Sequence, residues 1–221
     1  MRAAVSRSRP LRRRSGAAEC RSTHPAGGYD RRLRPERLHF TSSDAANELI
    51  ARDPMALLVG FALDQQVTVP KAFAGPLALK ERLGSLDPST LAAADLEPVF
   101  RQRPAIHRYP RVMAGRVHDL AVHVLEEYDG DAARAWTAAE DSAALRRNLH
   151  ALPGFGEMKV ASLAAVLARR YGVATAEAVS PAHPTLADVD SAAALAEYQA
   201  LKRAHRKDWD AIRAAERARP Q

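Results

Sequence analysis

Apolar residues recur at helical spacing through the body of this chain, and capping residues divide the pattern into separate helices. Ser43 is placed to cap a short helix that runs to about Ala51, and Asp53 and Pro54 begin the next one, with proline at the first helical position. This second helix is apolar nearly all round, so we expect it at the centre of a helical bundle. Its large apolar residues are Met55, Leu57, Leu58, Val59, Phe61 and Leu63.

Proline and glycine divide the pattern further along. Pro70 is predicted to interrupt the helical spacing, which resumes over about 73–83 and ends at Gly84. Short helices are expected after Asp87-Pro88 and after Asp95. Residues 101–110 contain two prolines and are predicted to form an extended link.

A long amphipathic helix is predicted from about Pro110 to Tyr128. Its expected buried stripe consists of Val112, Val117, Leu120, Val124 and Leu125, and the residues expected to face water are Arg111, Arg116, His118 and Glu126.

A five-residue turn separates two further amphipathic helices and consists of Leu152, Pro153, Gly154, Phe155 and Gly156. The proline stops the first helix, which Asp141 or Ser142 caps, and the glycines can adopt backbone angles closed to other residues. The second helix begins with amides that have no internal partner. The apolar stripes of the two helices are Leu145, Leu149 and Leu152, then Val160, Leu163, Ala164 and Leu167.

Such a turn predicts an anion site. Free amides and the helix dipole favour a phosphate, and Lys159 in the first turn can add a full charge. Backbone contacts of this kind position nucleic acid without reading its sequence. The alternative is a tight link within a helical bundle.

The pattern weakens after the second of these helices. A linker with Pro181 and Pro184 precedes a final helix, which we expect Asp190 to cap. No strand alternation stands out, and aromatic residues make up only 5% of the chain, so the prediction is an all-α fold. The final helix carries Leu195, Tyr198 and Leu201, with Trp209 and Ile212 beyond them.

The positive charge of the chain is concentrated at its start. Residues 1–40 hold eleven arginines and three acids, whereas the remaining 181 residues have a net charge of −1. We therefore expect a disordered Arg-rich tail over 1–38 and one domain over 39–221. The tail is either a basic arm for DNA or the product of an upstream start codon, and its composition also resembles a transit peptide.

Cofactor, metal and membrane signals are absent from the sequence. Cys20 is the only cysteine, which excludes internal disulfides and a four-cysteine iron–sulfur loop. The candidate histidines do not share a metal-binding spacing, so we interpret them as surface or hydrogen-bonded core residues and expect no metal or other cofactor. No apolar run spans a bilayer, and we expect a cytoplasmic protein. The histidines are His107, His118, His123 and His150.

Two segments together resemble one known family. The 152–156 turn between amphipathic helices resembles the helix-hairpin-helix element, and residues 53–66 resemble the buried helix that ends in a Gln-Gln pair in the helix-hairpin-helix DNA glycosylase superfamily. The likeness runs from Leu38 to Val173, and over this stretch the chain is similar to the actinobacterial glycosylase-like members of the superfamily. The resemblance implies a glycosylase-like helical bundle and a role in base-excision repair. It also implies that the partner is DNA and that the protein works on the nucleoid. The implied DNA contacts are Gln65, Gln66, Leu152, Pro153, Gly154, Phe155, Gly156, Met158 and Lys159.

The chain departs from the family pattern at the catalytic positions. The family places an aspartate shortly after the second hairpin helix, whereas residues 172–180 contain only Glu177 as an acid. Asp190 follows too late and fits a helix cap better. Strand-cutting members use a lysine where this chain has Met158, so a lyase is disfavoured. Asp64, beside the glutamines, would repel phosphate unless it caps amides or pairs with a cation.

Three functions stay open at this point. The first is a monofunctional DNA glycosylase that uses Glu177. The second is a catalytically inactive module that recognises the DNA backbone or a distorted duplex. The third is a hairpin that makes only protein contacts, since a fold does not fix a function.

Overall fold

The computed structural model describes the backbone of residues 34–217 and the side chains of residues 34–204. The expected tail up to residue 33, with Cys20, and the side chains of Trp209 and Ile212 lie outside the described residues. Within the described part the fold is all-α, with no strand.

Ten α-helices and two 3-10 helices make up the described chain. The α-helices are α1 (Asp44–Arg52), α2 (Pro54–Leu63), α3 (Val69–Leu83), α4 (Pro88–Ala93), α5 (Leu96–Arg101), α6 (Pro110–Tyr128), α7 (Arg134–Thr137), α8 (Ser142–Ala151), α9 (Glu157–Tyr171) and α10 (Ala192–Arg217). The 3-10 helices, Ala174–Val179 and Leu186–Asp188, lie between α9 and α10.

Helix α2 is the centre of the bundle, as its all-round apolar pattern predicts. Every residue from Met55 to Leu63 is buried, and the helix packs against α1, α3 and α6. The Asp53 carboxylate accepts hydrogen bonds from the amides of Met55 and Ala56 at 2.9 and 3.1 Å, which satisfies two of the unpaired donors at the start of the helix.

A cluster of aromatic rings fixes α3 against α2. The ring of Phe73 meets those of Phe40 and Phe61 edge-on, at centroid distances of 5.0 and 5.2 Å. Gly60 permits this approach, because a Cβ at that position would lie 2.5 Å from Phe73 Cδ1. Leu38 also belongs to this core, at 2% exposure.

The structure corrects two boundaries predicted from the sequence. Pro70 does not interrupt α3 but lies in its first turn, where a missing amide costs nothing. Asp190 does not cap α10: the Ser191 hydroxyl accepts from the amide of Ala194 at 3.1 Å. A side chain one position nearer the helix reaches that donor instead.

The buried face of α6 is also shifted from the predicted stripe. Val112 is 58% exposed, and Met113 and Ala114 take its place in the core. The reason is geometric: Val112 lies five residues before Val117, about 140° away around the helix axis, whereas residues 113 and 114 share its face. Leu125 is only half-buried.

Candidate functional site

The turn between α8 and α9 is anchored by its apolar side chains and exposes its glycines. Leu152 and Phe155 are 1% and 4% exposed, so their side chains belong to the core and cannot themselves contact a ligand. Gly154 and Gly156 are exposed, and Gly154 has φ +82°, a conformation that favours glycine. The turn therefore faces solvent with its backbone.

Several amides at the start of α9 have no acceptor. Gly156 is the N-cap residue and supplies no side-chain cap, while its carbonyl accepts from the amides of Lys159 and Val160 at 2.9 and 3.0 Å. In the part of the chain that the structure describes, the amides of Gly156, Glu157 and Met158 make no hydrogen bond. Unpaired donors at a helix N-terminus attract anions.

The carboxylate of Glu157 is the charge that competes with an anion here. It pairs with both His150 and Arg146 on α8. The hydrogen bond from His150, and then the charge of Arg146, hold the pKa of Glu157 below its usual value. Both partners draw the carboxylate toward α8, and the charge of Arg146 offsets its charge.

Lys159 is turned inward. Its Nζ donates to the carbonyl oxygen of Ala62, near the end of α2, at 3.0 Å and lies 5.8 Å from the centroid of the Phe155 ring. Burial, and then the positive charge of Arg116, lower its pKa to about 8. The sequence predicted that Lys159 adds its charge beside a bound phosphate, whereas in the structure this amine ties the hairpin to α2. Met158 beside it is 80% exposed.

The two glutamines after α2 are exposed and tightly held. The guanidinium of Arg116 donates to Gln65 Oε1, and the hydroxyl of Tyr109 lies 3.1 Å from Gln66 Oε1. Gln66 has φ +56°, which is uncommon for a residue other than glycine. Backbone outliers of this kind cluster at ligand sites.

A buried histidine holds the backbone of the same loop. His107 is 1% exposed, and its Nδ1 accepts from the amide of Tyr109 at 3.1 Å. The proton is therefore on Nε2, which donates to the Gln65 carbonyl oxygen at 3.1 Å. Burial lowers the pKa of His107, which favours this neutral form. His107 is thus a hydrogen-bonded core residue, as expected.

Arg116 joins the glutamine loop to the hairpin. The sequence predicted a solvent-facing side chain for Arg116, but this side chain is half-buried. It crosses Gly154, where an added Cβ would lie 2.5 Å from Arg116 Cδ. Beside it, between α6 and the hairpin, is a cleft of about 390 Å³. The cleft is lined by Arg111, Val112, Gly115, Arg116, Asp119, Pro153 and Gly154.

Asp64, which the sequence presented as an obstacle to DNA, has a cationic partner. Its carboxylate lies 2.8 Å from Lys202 Nζ on α10, and the Asp64 side chain is 13% exposed. A second cleft, of about 250 Å³, lies between Gln66 and the start of α3 on one side and Gln199, Lys202 and Arg203 on the other.

Glu177, the acid suggested by the sequence, stands apart from this cluster. It is exposed on the 3-10 helix that packs against α8 and α9. Among the described residues its side chain makes no hydrogen bond or ion pair with the glutamine loop, the turn or any other segment. Asp190 is also exposed and does not join them.

Sequence reasoning missed three residues of the site, namely His107, Tyr109 and Arg116. Each is 42 to 51 residues from the glutamine it contacts, so only the tertiary packing brings them together. The one local signal is the prolines around 104–110, which stop a helix from forming and leave the segment free to reach α2.

Within residues 34–204, no group of three or more His, Cys, Asp or Glu side chains is arranged to hold a metal ion. None of the described helices has the length and apolar character needed to span a bilayer. No family model, curated protein or solved structure matches the chain. Its geometry must therefore carry any assignment of function.

Proposed function

We propose that this chain binds the DNA backbone through the 152–156 turn and acts in base-excision repair, as a member of the helix-hairpin-helix DNA glycosylase superfamily working on the nucleoid in the cytoplasm. The observation that carries the proposal is the set of unpaired amides from Gly156 to Met158, exposed beside a cleft that contains the exposed side chain of Arg111. Amides and guanidinium groups are the donors that bind phosphate in proteins.

The charge distribution supports a local contact. Residues 41–221 have a net charge of −1, so the body has no broad positive field to attract DNA. Attraction must come from the turn and from Arg111 at the cleft. The Glu157 carboxylate is paired with Arg146 and His150, and Asp119, the acid that lines the cleft, lies with its Oδ1 3.4 Å from His118 Nδ1. The proposed contact is therefore small and independent of base sequence.

Amide chemical shifts of the full-length ¹⁵N-labelled protein, titrated with a short duplex, test this proposal. We expect the amides of Gly156, Glu157 and Met158 to shift first, and more salt to weaken the response. The first turn of α1 is the matched control, because Ser43 already caps it. Shifts confined to other surfaces, or none, would contradict the proposal and leave protein contacts as the role of the hairpin.

Base removal is a second candidate function, and Asp64 is the observation that favours it. Loss of a base leaves a cationic sugar that a carboxylate can stabilise while water attacks C1′, and the base departs with the bonding electrons and takes up the proton that the water releases. Asp64 lies next to Gln65 and is mostly buried. Glu177 has no such position.

Incubation with duplexes that carry uracil, oxidised, alkylated or abasic sites, followed by alkaline cleavage, tests this second function. We expect Asp64→Asn to lose the product and Lys202→Met, which removes only the partner cation, to retain most of it. Product lost in Glu177→Gln instead would restore the acid expected from the sequence. If no lesion is processed at enzyme excess while duplex is retained, DNA binding alone remains.

A further inference from the structure

Only one orientation of the Gln65 carboxamide is compatible with its hydrogen-bond partner, Arg116. Arg116 donates a hydrogen bond to Oε1, and a guanidinium has five donors and no acceptor. The oxygen of the carboxamide must therefore face Arg116, and the NH₂ group must face away. In the described chain this NH₂ group makes no hydrogen bond, and Gln65 is exposed.

Arg116 is itself held in place by the hairpin. An added Cβ at Gly154 would lie 2.5, 2.8 and 3.1 Å from Arg116 Cδ, Nε and Cγ, so the arginine can lie here only above a glycine. The positive charge of Arg116 also lowers the pKa of the inward-turned Lys159 on the hairpin helix. The same guanidinium thus touches both segments implicated in DNA binding.

The backbone of the loop is fixed independently of Arg116. His107 binds the Gln65 carbonyl oxygen, and Tyr109 binds the side chain of Gln66. Removal of the arginine should therefore release the Gln65 side chain and leave the loop in place.

We infer that Arg116 is a positioning residue, which couples the hairpin to Gln65 and turns the NH₂ donors of that side chain toward the ligand. The ligand it serves is a duplex with one base missing or displaced, because the base left without a partner exposes acceptors that intact pairing occupies. This inference rests on the proposed DNA binding.

A double-mutant cycle tests the inference. Affinity is measured for an intact duplex and for the same duplex with a stable abasic analogue, in the full-length protein and in Arg116→Met, Gln65→Ala and the double variant. We expect each single change to lower the preference for the abasic duplex about tenfold, the effect of losing one well-placed hydrogen bond, and the double variant to lose no more. Arg116→Lys, which keeps a donor, should restore part of the preference.

The salt dependence separates positioning from a direct phosphate contact. We expect Arg116→Met to leave the intact-duplex affinity and its salt slope unchanged, whereas loss of a phosphate contact lowers that slope by about 1. Arg101→Met is the matched control for arginine removal, because Arg101 on α5 pairs with Glu97 and, among the described residues, with no other acid. Thermal unfolding confirms that each variant is folded.

Three results would overturn the inference. They are a reduced salt slope in Arg116→Met, additive losses in the double variant, and an unmodified protein that binds both duplexes equally. In all three cases DNA binding itself stands. If the unmodified protein binds neither duplex, the proposed function fails, and the inference fails with it.

Discussion

The amine of Lys159 on the first turn of α9 lies 3.0 Å from the carbonyl oxygen of Ala62 near the end of α2. This bond joins the hairpin to the central helix across 97 positions of the sequence. It places the turn, the cleft and the glutamine loop on one side of the bundle.

Stability above neutral pH should report the environment of Lys159. Its pKa falls from 10.5 in the unfolded chain to about 8 in the folded protein, so the unfolded chain binds the proton more strongly between these values. Below about pH 8 the lysine is charged in the folded protein too, so the folded state bears the full cost of burying that charge. We therefore expect the free energy of unfolding to rise between about pH 8 and 10.5. Urea unfolding of the protein and of Lys159→Met, compared over this range, isolates this lysine from the tyrosines.

Substitution of Gly154 should separate backbone strain from the position of Arg116. Gly154 and Gly84 both have φ +82°, but an added Cβ meets Arg116 at Gly154 and nothing within 4 Å at Gly84. Alanine at either position should cost about 1 kcal/mol of unfolding free energy, because the flexible arginine can move aside. Only Gly154→Ala should lose the preference for the abasic duplex. Equal preference in both variants would mean that Arg116 does not depend on this glycine.

Acid should loosen the glutamine loop through His107. Burial lowers the pKa of His107 below 6.5, so the unfolded chain binds a proton more readily, and the free energy of unfolding should fall as the pH drops below 6.5. Lys71 and Arg108, the nearby cations, add to this effect. The pH dependence of urea unfolding should be weaker in His107→Gln. An identical dependence in the two proteins would assign the acid sensitivity elsewhere.

The correction at the start of α10 can be checked directly. Ser191→Ala should cost about 1 kcal/mol of unfolding free energy, the usual contribution of an N-cap. Asp190→Ala should change it by less than about 0.5 kcal/mol, since Asp190 is an exposed side chain outside the cap. The reverse ranking in thermal or urea unfolding would favour the sequence-based assignment.

The sequence predicted those parts of the fold that local chemistry controls. Ser43, Asp53 and Asp141 cap their helices as expected, because an N-cap depends on a side chain and the amides two or three residues ahead. The bounds of α6 were also correct, since Pro110 fixes its start. The family resemblance stays a prediction.

The sequence did not predict the features of the fold that depend on tertiary packing. The buried face of α6 depends on neighbouring helices, which is why Val112 was placed inside and Arg116 outside. The bonds from His107 and Tyr109 to the glutamine loop depend on the packing of α2 against α6. The sequence therefore identified both halves of the candidate site but not the residues that connect them.

A matched pair of substitutions at Gly156 tests the central claim most directly. Gly156 has φ −85° and ψ 174°, and an added Cβ meets nothing within 4 Å, so aspartate and asparagine both fit there as N-cap residues. Both should change the free energy of unfolding by only about a few tenths of a kcal/mol. We predict that both side chains weaken duplex binding, because each can take an amide at the start of α9, and that Gly156→Asp weakens it at least about tenfold and several-fold more than Gly156→Asn, because it also repels phosphate. Equal duplex affinity in the two variants would contradict phosphate binding at this turn.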